Sequence, residues 1–326
     1  MISESKIKNA VKEMFSGIEF EQEPAGLYDS MRYMIGTEGK RIRPLLCLTA
    51  YSLFKDTLGE EVIEPARALE IFHASTLIHD DIMDGSPLRR GRDTVWVKWG
   101  ADTALLSGDA MLIEACRRFS SVPAKFRYKV LSLFTETAMK VCEGQQLDQD
   151  YEREQEVSMD DYIGMVGLKT SSFMGCAAKM GAIMADAAPV QCERLYKYGY
   201  NLGMAFQITD DYLDVFGDEK LFGKPIGRDI INCEKSWLTV RAMEKAADKP
   251  GLLRALAAPA GTDEEKGAKI ASVKNIYVEL GVDADAVEAV RNYTARAMEA
   301  VSSMRLGQVR LEVLRRFAEK LVGRVR

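Results

Sequence analysis

Apolar residues recur every three or four positions along most of the chain, which is the period of an α-helix with one buried face. In the first such stretch, Ile7, Val11 and Met14 fall on one side of a helix predicted over 3–15. No stretch keeps the two-residue alternation typical of a half-buried strand, so no sheet is predicted. The same period predicts further helices over 27–35, 45–56, 62–83, 101–119, 124–149, 160–165, 190–216, 236–247, 262–280, 285–303 and 307–323, and a Gly-, Ala- and Met-rich helix that ends at Ala185.

Glycine and proline mark the predicted breaks between these helices. Gly85-Ser86-Pro87 ends the helix over 62–83, and the segment from Gly167 to Ser171 is expected to interrupt the helical pattern. The stretches 217–229 and 249–263 contain both Gly and Pro and are predicted loops. We therefore predict one all-α domain over 1–326, a bundle of roughly ten or more helices around a central cavity.

The composition is that of an ordinary globular chain, with 47% hydrophobic and 29% charged residues in 326 positions. A net charge of -5 argues against a general nucleic-acid binder, whose surface would be basic. Basic residues cluster locally instead, at Lys40-Arg41-Arg43 and at Arg89-Arg90-Arg92. Local clusters in an acidic chain suggest small anions as ligands rather than a charged polymer.

The cysteines and the N-terminus favour a cytoplasmic protein. The six cysteines are scattered, with no CxxC pair, and most stand in apolar helical context, which suits a reducing compartment. The N-terminus is amphipathic and mixed in charge, without the apolar core of a signal peptide. No apolar run approaches the length of a membrane span, so none is predicted.

Three aspartates, Asp80, Asp81 and Asp84, fall near the end of the apolar helix over 62–83. On a helix, Asp80 and Asp84 lie on one face and repel each other, at the negative end of the helix dipole. A divalent cation would relieve this repulsion, because Mg²⁺ is typically held by one or two carboxylates together with substrate phosphates. A solvated acidic helix end is the alternative, and this motif alone leaves the two open.

A second copy of the acidic pattern favours metal binding. Asp210, Asp211 and Asp214 repeat the spacing after another apolar helical run that includes Leu202, Phe206 and Ile208. Two such constellations on otherwise apolar helices are hard to explain as solvated faces.

Other polar positions are ambiguous by themselves. Gly39, the cations Lys40, Arg41 and Arg43, and Pro44 could form an anion site at a helix start, or an ordinary basic loop. The pair Lys169-Thr170 is typical of a surface when it stands alone. Three polar residues near the end of the helix over 124–149 could line a cavity or face solvent: Gln145, Gln146 and Asp148.

Taken in order, these motifs resemble the trans-isoprenyl diphosphate synthases, the polyprenyl synthetase family. The matching motifs are GKRIRP at 39–44, HxxxxxxDDxxDxxxxRRG at 73–91, GQ at 144–145, KT at 169–170, QxxDDxxD at 207–214 and GKPIGRD at 223–229. The resemblance covers nearly the whole chain. It implies the isoprenoid synthase fold, a homodimer, and a prenyltransferase that joins isopentenyl diphosphate to allylic diphosphates head to tail in isoprenoid biosynthesis.

The resemblance also implies roles for individual residues. A cluster of about three Mg²⁺ ions would hold the allylic diphosphate on Asp80, Asp84 and Asp210. The other aspartates, Asp81, Asp211 and Asp214, would be further ligands or supports. The resemblance implies that the allylic diphosphate also contacts Arg89, Lys169 and Lys224. It implies that isopentenyl diphosphate binds to Lys40, Arg43, His73 and Arg90. The oxygens of Thr170 and Gln207 would face the allylic carbocation.

One position departs from the family pattern. Family members commonly carry a Lys two residues before the Thr or Ser that opens the helix after the Gly-rich loop. Here that position is Glu234, followed by Lys235 and Ser236. Either Lys235 substitutes or this diphosphate contact is missing, so Lys235 is not included among the predicted site residues.

Small residues near the first acidic motif suggest a product longer than farnesyl. In the family, an aromatic residue five positions before the first Asp stops growth near farnesyl. Here that residue is Ser75, next to Thr76, with Phe72 about one helix turn deeper. We predict a pocket lined by Ser75, Thr76 and Phe72, with geranylgeranyl diphosphate as the best single product and longer products open.

Three other functions share parts of the pattern. A class I terpene cyclase also uses DDxxD on an all-α fold, but it would be expected to replace the second motif and would not need the basic segment 39–44. A head-to-head condensing synthase also lacks the constellation of Lys40, Arg43 and His73. A non-catalytic subunit of a two-component prenyl synthase usually lacks the acids, and here all of them are present.

Overall fold

The computed structural model describes residues 2–16, 20, 22–217 and 226–323. The backbone contacts divide the chain into two compact units, one formed by 1–135 and 176–196 and the other by 136–175 and 197–326. Across the described ranges the secondary structure is almost entirely helical, which confirms the predicted all-α class. The prediction that 1–326 acts as one domain around a cavity stays a prediction.

The first unit contains the helices before residue 124 and a short hairpin. Their bounds are α1 Glu4–Ser16, α2 Ala25–Ile35, α3 Ile42–Ser52, α4 Glu60–Met83, the strands β1 Leu88–Arg89 and β2 Arg92–Asp93, α5 Val95–Trp99, α6 Ala101–Arg118 and a 3₁₀ turn Phe119–Ser121. It also holds the start of α7 Ala124–Glu152, most of α9 Ser172–Met184, and the start of α10 Pro189–Phe216.

Helix α4 is the centre of this unit. It packs against α3 and α6, and apolar side chains are buried around most of its circumference, including Leu69, Ile71, Phe72 and Ile78. A helix that is apolar on all sides has no solvent face to offer, so it belongs in the interior. The prediction that this acid-bearing helix is central is confirmed within its own unit.

The second unit contains the remaining parts of α7, α9 and α10 and the C-terminal helices. The further elements are α8 Met159–Val166, a π-helical turn Gly167–Ser171, α11 Arg228–Asn232, α12 Trp237–Lys245, α13 Lys249–Leu256, α14 Asp263–Glu279, α15 Val282–Ser302 and α16 Gln308–Val322. Its core joins α8, α10, α12 and α14 through buried residues that include Tyr162, Met204, Leu238 and Tyr277.

Glycine permits a close approach of helices in the second unit. A Cβ built at Gly203 on α10 would lie 2.6 Å from the Cα of Ser171, and one at Gly144 on α7 would collide with the backbone nitrogen of Lys169. Both partners belong to the π-helical turn. Side chains at these glycines would therefore push α7 and α10 away from the segment that carries Lys169 and Thr170.

Several short elements differ from the sequence-based expectations. A two-stranded antiparallel hairpin pairs Leu88 with Asp93, although no sheet was expected. Its two-residue turn at Arg90 and Gly91 has positive φ at both residues, as the tight turns of two-residue hairpins require. Strands of two residues are too short to show an alternating pattern, so periodicity could not reveal them.

The predicted loop over 249–263 is partly helical. The Asp248 side chain accepts a hydrogen bond from the Gly251 N–H at 2.9 Å and caps α13, in whose first turn Pro250 lies. Proline is compatible with a first helical turn, so it opens this helix and does not break it. Likewise, Gly167 to Ser171 continues the helical path as a π-helical turn. Helix α11 begins at the end of the predicted loop over 217–229 and extends beyond it.

No helix in the described part of the chain is both long and apolar enough to cross a membrane.

Candidate active site

The first acidic motif closes α4. Asp84 follows the last helical residue, and its N–H donates to the Asp80 carbonyl oxygen at 2.8 Å. The chain then turns at Gly85, whose φ is +59°. The Asp80 side chain is half-buried and the Asp84 side chain is exposed, so both lie where a ligand could reach them. Asp81 instead points inward, with 1% of its surface exposed.

Asp81 holds Arg89 in place. The Arg89 Nε donates to both carboxylate oxygens of Asp81, at 2.8 and 2.9 Å. Burial raises the pKa of Asp81 to about 6, although the Arg89 charge and its hydrogen bond act in the opposite direction. Because both oxygens of the carboxylate face one guanidinium nitrogen, Asp81 orients Arg89. The family resemblance predicts that Arg89 binds the allylic diphosphate.

The basic segment between α2 and α3 lies beside the hairpin. The Arg90 Nη1 donates to the Glu38 carbonyl oxygen at 2.5 Å, and a Cβ at Gly39 would collide with the Arg90 guanidinium. A side chain at position 39 would therefore displace the Arg90 guanidinium from its present place. Burial lowers the pKa of Arg43 to about 10, against the opposing charge of Glu70. Lys40 is exposed.

His73 lies on α4 among these cations. Burial lowers the pKa of His73 well below its usual value, and the positive charges of Arg43, Arg90, Arg89 and Arg41 lower it further, in that order. The imidazole is therefore neutral near pH 7 in the ligand-free protein. A neutral ring surrounded by four guanidinium groups marks a strongly electropositive site, which an anion would stabilise.

The second acidic motif lies on α10, and its middle aspartate joins three parts of the second unit. Asp211 accepts hydrogen bonds from the Tyr162 hydroxyl at 2.7 Å, the Trp237 N–H at 2.7 Å and the Gln207 amide at 2.9 Å. Burial nevertheless raises its pKa to about 6. Asp210, next to it, is only half-buried.

The hydrogen bonds of Asp211 fix the orientation of the Gln207 amide. Because the Gln207 nitrogen donates to Asp211, its oxygen Oε1 turns towards Thr170, whose hydroxyl donates to it at 3.2 Å. Thr170 lies on the π-helical turn, a feature frequent at functional sites. The two residues predicted to face the carbocation therefore form one chain of hydrogen bonds that ends on a buried carboxylate.

Lys169 has an acidic partner on α7. Its Nζ lies 2.6 Å from the Asp148 Oδ2, and both side chains are about one-third exposed. The sequence left open whether Asp148 lines a cavity or faces solvent. The structure places it against Lys169, a residue that the family resemblance predicts to bind diphosphate.

Asp214 supports the segment that follows the acidic helix. Its Oδ2 accepts from the Asp229 N–H at 3.0 Å, at the start of α11. Burial raises the pKa of Asp214 to about 6 and that of Asp229 well above its usual range, where Asp211, Asp214 and Glu234 add repulsion. The carboxylates of this region are thus crowded, and a cation would relieve the crowding. Lys224, predicted to contact the diphosphate, lies outside the described residues.

Comparison with known proteins places the chain in a family. A model of the polyprenyl synthetase family matches residues 24–276. The chain belongs to this family. It is 36% identical over 250 residues to a geranylgeranyl diphosphate synthase of Saccharolobus solfataricus, an alignment that covers 74% of this chain and 71% of that one.

Solved structures agree with this assignment. The crystal structure of a geranylgeranyl pyrophosphate synthase matches with a TM-score of 0.93 and 38% identity, and covers 100% of both chains. A polyprenyl synthase from Caulobacter crescentus, solved with calcium and isoprenyl diphosphate, matches with a TM-score of 0.85 and 25% identity over 99% of this chain and 96% of that chain. The protein is thus a prenyltransferase with the isoprenoid synthase fold.

The carboxylates of this prenyl synthase fit a metal ion whose coordination is completed by oxygens of a bound substrate. Within the described residues, no group of three or more His, Cys, Asp or Glu side chains is arranged to hold a metal ion unaided. Mg²⁺ does not need such a cage, because one or two carboxylates and the oxygens of a bound diphosphate satisfy it. Asp80 and Asp210 are half-buried and Asp84 is exposed, so such a ligand could reach them, whereas Asp81 and Asp211 are buried and bind protein donors.

The residues predicted to limit chain length lie on the buried side of α4. Ser75 is buried, and its hydroxyl donates to the Phe72 carbonyl oxygen at 2.7 Å. The Phe72 ring packs edge-on against Phe134, and Phe134 contacts Phe119, with ring centroids 5.2 and 4.9 Å apart. Thr76, half-buried, donates to the His73 carbonyl oxygen at 2.8 Å. Phe72 is therefore held by an aromatic cluster one turn below Ser75.

Sequence reasoning missed several supporting residues of the synthase. Tyr162, Trp237 and Asp229 each touch an aspartate of the second motif, and Glu70 touches the basic segment. Asp229 stands in the GKPIGRD motif, and that position was a usable signal. Tyr162 and Trp237 read as ordinary core aromatics, and the Trp237 contact is made by a backbone N–H that no residue type encodes.

The histidines offer a direct test of this electrostatic environment. The chain has two histidines, so two sets of ring signals are expected by NMR, and H79Q assigns them. We expect the pKa of the His73 ring to lie well below the ordinary histidine value, because burial disfavours the charged ring and protonation would add a fifth positive charge to the cluster.

Inorganic pyrophosphate supplies the complementary measurement. Its negative charge should raise the pKa of His73 towards the ordinary histidine value. A His73 ring that titrates near pH 6.5 without ligand, and is unaffected by pyrophosphate, would contradict this description of the site.

Proposed function

We propose that this prenyltransferase condenses isopentenyl diphosphate with allylic diphosphates, head to tail, to a linear all-trans product of geranylgeranyl length. The observation that carries the proposal is that the two acidic motifs share one arrangement of buried and half-buried aspartates. In each, one aspartate (Asp81, Asp211) is buried and fixes a neighbouring functional residue, while the first aspartate (Asp80, Asp210) is only half-buried.

The proposed chemistry begins at the allylic diphosphate. Its departure leaves a carbocation and places negative charge on pyrophosphate, which needs fixed positive groups. Arg89, held by Asp81, is such a group, and we propose Lys169 and Lys224 as others. Lys169 would exchange Asp148 for the diphosphate. Magnesium, when bound, supplies further charge to stabilise the leaving group, and we propose that Asp80, Asp84 and Asp210 are its ligands, with about three ions in all.

The carbocation needs neutral dipoles beside it, since a carboxylate could itself be alkylated. The Gln207 amide is oriented by Asp211, and Thr170 donates its hydroxyl proton to Gln207. The lone pairs of the Thr170 oxygen are therefore available to a cation. We propose that both oxygens stabilise the cation while the double bond of isopentenyl diphosphate attacks it, and that the released pyrophosphate accepts the proton that is then lost.

We propose that isopentenyl diphosphate binds without a metal to Lys40, Arg43, His73 and Arg90. The neutral imidazole of His73 can donate one hydrogen bond, and the surrounding guanidinium groups supply the charge. This set of residues contains no pair of carboxylates to hold a metal ion. Such a site suits the diphosphate of isopentenyl diphosphate, which stays attached to its carbon chain and is not a leaving group.

We also propose a cytoplasmic homodimer. On α6, Leu105, Leu106 and Ile113 are 53, 61 and 67% exposed. Leu106 and Ile113 are two turns apart and share one face of α6, and large apolar side chains exposed in this way suit a subunit interface. All six cysteines are free thiols, which suits a reducing compartment.

The first test is synthesis. Purified protein with isopentenyl diphosphate, farnesyl diphosphate and Mg²⁺ should give geranylgeranyl diphosphate, and EDTA should abolish the product. D80N and D210N should each lower kcat by about 10²- to 10³-fold, because each removes charge from the metal–diphosphate complex. D160N, which changes an exposed aspartate on α8, is the matched control. A cyclic hydrocarbon, or no product from any allylic primer, would refute the proposal.

The second test concerns product length, measured by chromatography of the dephosphorylated products. S75F should shorten the main product to farnesyl, because the ring would fill the space above Phe72. S75A removes only the hydroxyl and should leave the length unchanged. If S75F also leaves the length unchanged, Ser75 does not line the path of the growing chain.

The third test concerns the assembly. Sedimentation equilibrium should give a dimer of two 36.4 kDa chains. I113E should dissociate it, because a charge would be buried in the interface. V190E, at a similarly exposed apolar position on α10, should remain dimeric. A monomeric native protein, or an I113E dimer of undiminished affinity, would exclude α6 as the interface.

A further inference from the structure

A buried carboxylate lies beneath the basic segment, and the proposed chemistry does not use it. Glu70 is on α4, one turn before His73, and only 3% of its surface is exposed. Its Oε1 accepts from the Arg41 Nη1 at 2.8 Å. In the described part of the chain its second oxygen is buried and has no hydrogen-bond partner. A carboxylate in such a position costs free energy unless nearby positive charge compensates it.

Arg41 is fixed from several directions. Besides Glu70, its guanidinium donates to the carbonyl oxygens of Ile35 and of Thr37, the latter at 3.0 Å, and it lies 4.7 Å from the centre of the Phe15 ring. Its backbone has φ 47° and ψ 44°, a left-handed conformation that is unfavourable for a residue with a side chain. The side-chain contacts therefore hold the backbone in a conformation that it would otherwise leave.

This left-handed residue determines the direction of its neighbours. Arg41 caps the start of α3, with Lys40 immediately before it and Arg43 in the first turn. If the Arg41 backbone relaxed, Lys40 and Arg43 would change their relative orientation. The Glu70 charge also acts on Arg43 and Arg90 directly, since it favours the charged form of both guanidinium groups against burial.

We propose that Glu70 is a positioning residue for the metal-free diphosphate subsite: it clamps Arg41 and thereby orients Lys40 and Arg43 towards the diphosphate of isopentenyl diphosphate. The inference rests on the proposed function, because it takes that diphosphate as the ligand of the basic segment. Glu70 itself does not touch the substrate. Its carboxylate balances the cluster of cations when the anionic ligand is absent.

The test separates the two substrates. E70Q keeps the shape of the side chain and an acceptor for Arg41 but removes the charge. We expect the KM for isopentenyl diphosphate to rise by about tenfold, with the KM for farnesyl diphosphate and the kcat at saturation changed by less than about twofold. E70D, which keeps the charge on a shorter side chain, should recover part of the loss.

A matched control lies on the same helix. Glu64 also pairs with arginines, Arg67 and Arg118, but its pairs do not involve the basic segment. E64Q should leave both KM values unchanged. R41Q should reproduce the effect of E70Q, and the double variant should add little, because both changes release the same clamp. If E70Q fails to fold, R41Q alone decides: an unchanged KM for isopentenyl diphosphate overturns the proposal.

Other outcomes are equally decisive. Equal increases of both KM values, or a fall in kcat alone, would overturn the positioning role in favour of a general structural one. If the native protein makes no product, the proposed function fails, and calorimetric titration with inorganic pyrophosphate then decides on Glu70. A tenfold weaker affinity in E70Q than in E64Q would support the role, and equal affinities would refute it.

Discussion

The structure depends on the burial of ionised side chains on helices that are otherwise apolar. An unpaired carboxylate in a protein interior is strongly unfavourable, so each one must find a cation or several hydrogen-bond donors. Asp81 is compensated by Arg89, Glu70 by Arg41, and Asp211 by two side chains and a backbone N–H. Each of these pairings also fixes a residue to which we assign a proposed role in substrate binding or in its positioning.

The compensation is incomplete, and this has a functional consequence. The pKa values of Asp81, Asp211 and Asp214 are raised to about 6 despite their partners, and His73 is kept neutral by its burial and by the cations around it. Each unit thus holds unfavourable electrostatic interactions in the absence of ligand. The first has buried acids and a buried histidine on α4 beside clustered arginines, and the second has crowded carboxylates on α10 and at the start of α11. Bound metal and diphosphate would relieve this repulsion. The relief would contribute favourably to the free energy of substrate binding.

Much of the site could be predicted from residue types and spacing. Two aspartate motifs on apolar helices, together with clustered cations, indicate metal and diphosphate by simple electrostatics, and the order of the motifs identified the family. The helices followed from the period of apolar residues, apart from α5, α11 and α13, which are too short or too rich in Gly and Pro to show it. The hairpin at Leu88–Asp93 was invisible for the same reason.

The sequence by itself determined the helical class, the central place of α4 in its unit and the identity of the charged residues, because these follow from local periodicity and composition. Only the tertiary structure decided what each acid does. Asp80 and Asp81 are adjacent and identical in type, yet one is half-buried and the other binds Arg89 in the interior. That difference arises from the direction of each side chain on the helix and from partners distant in sequence, such as Trp237 for Asp211, which no local pattern specifies.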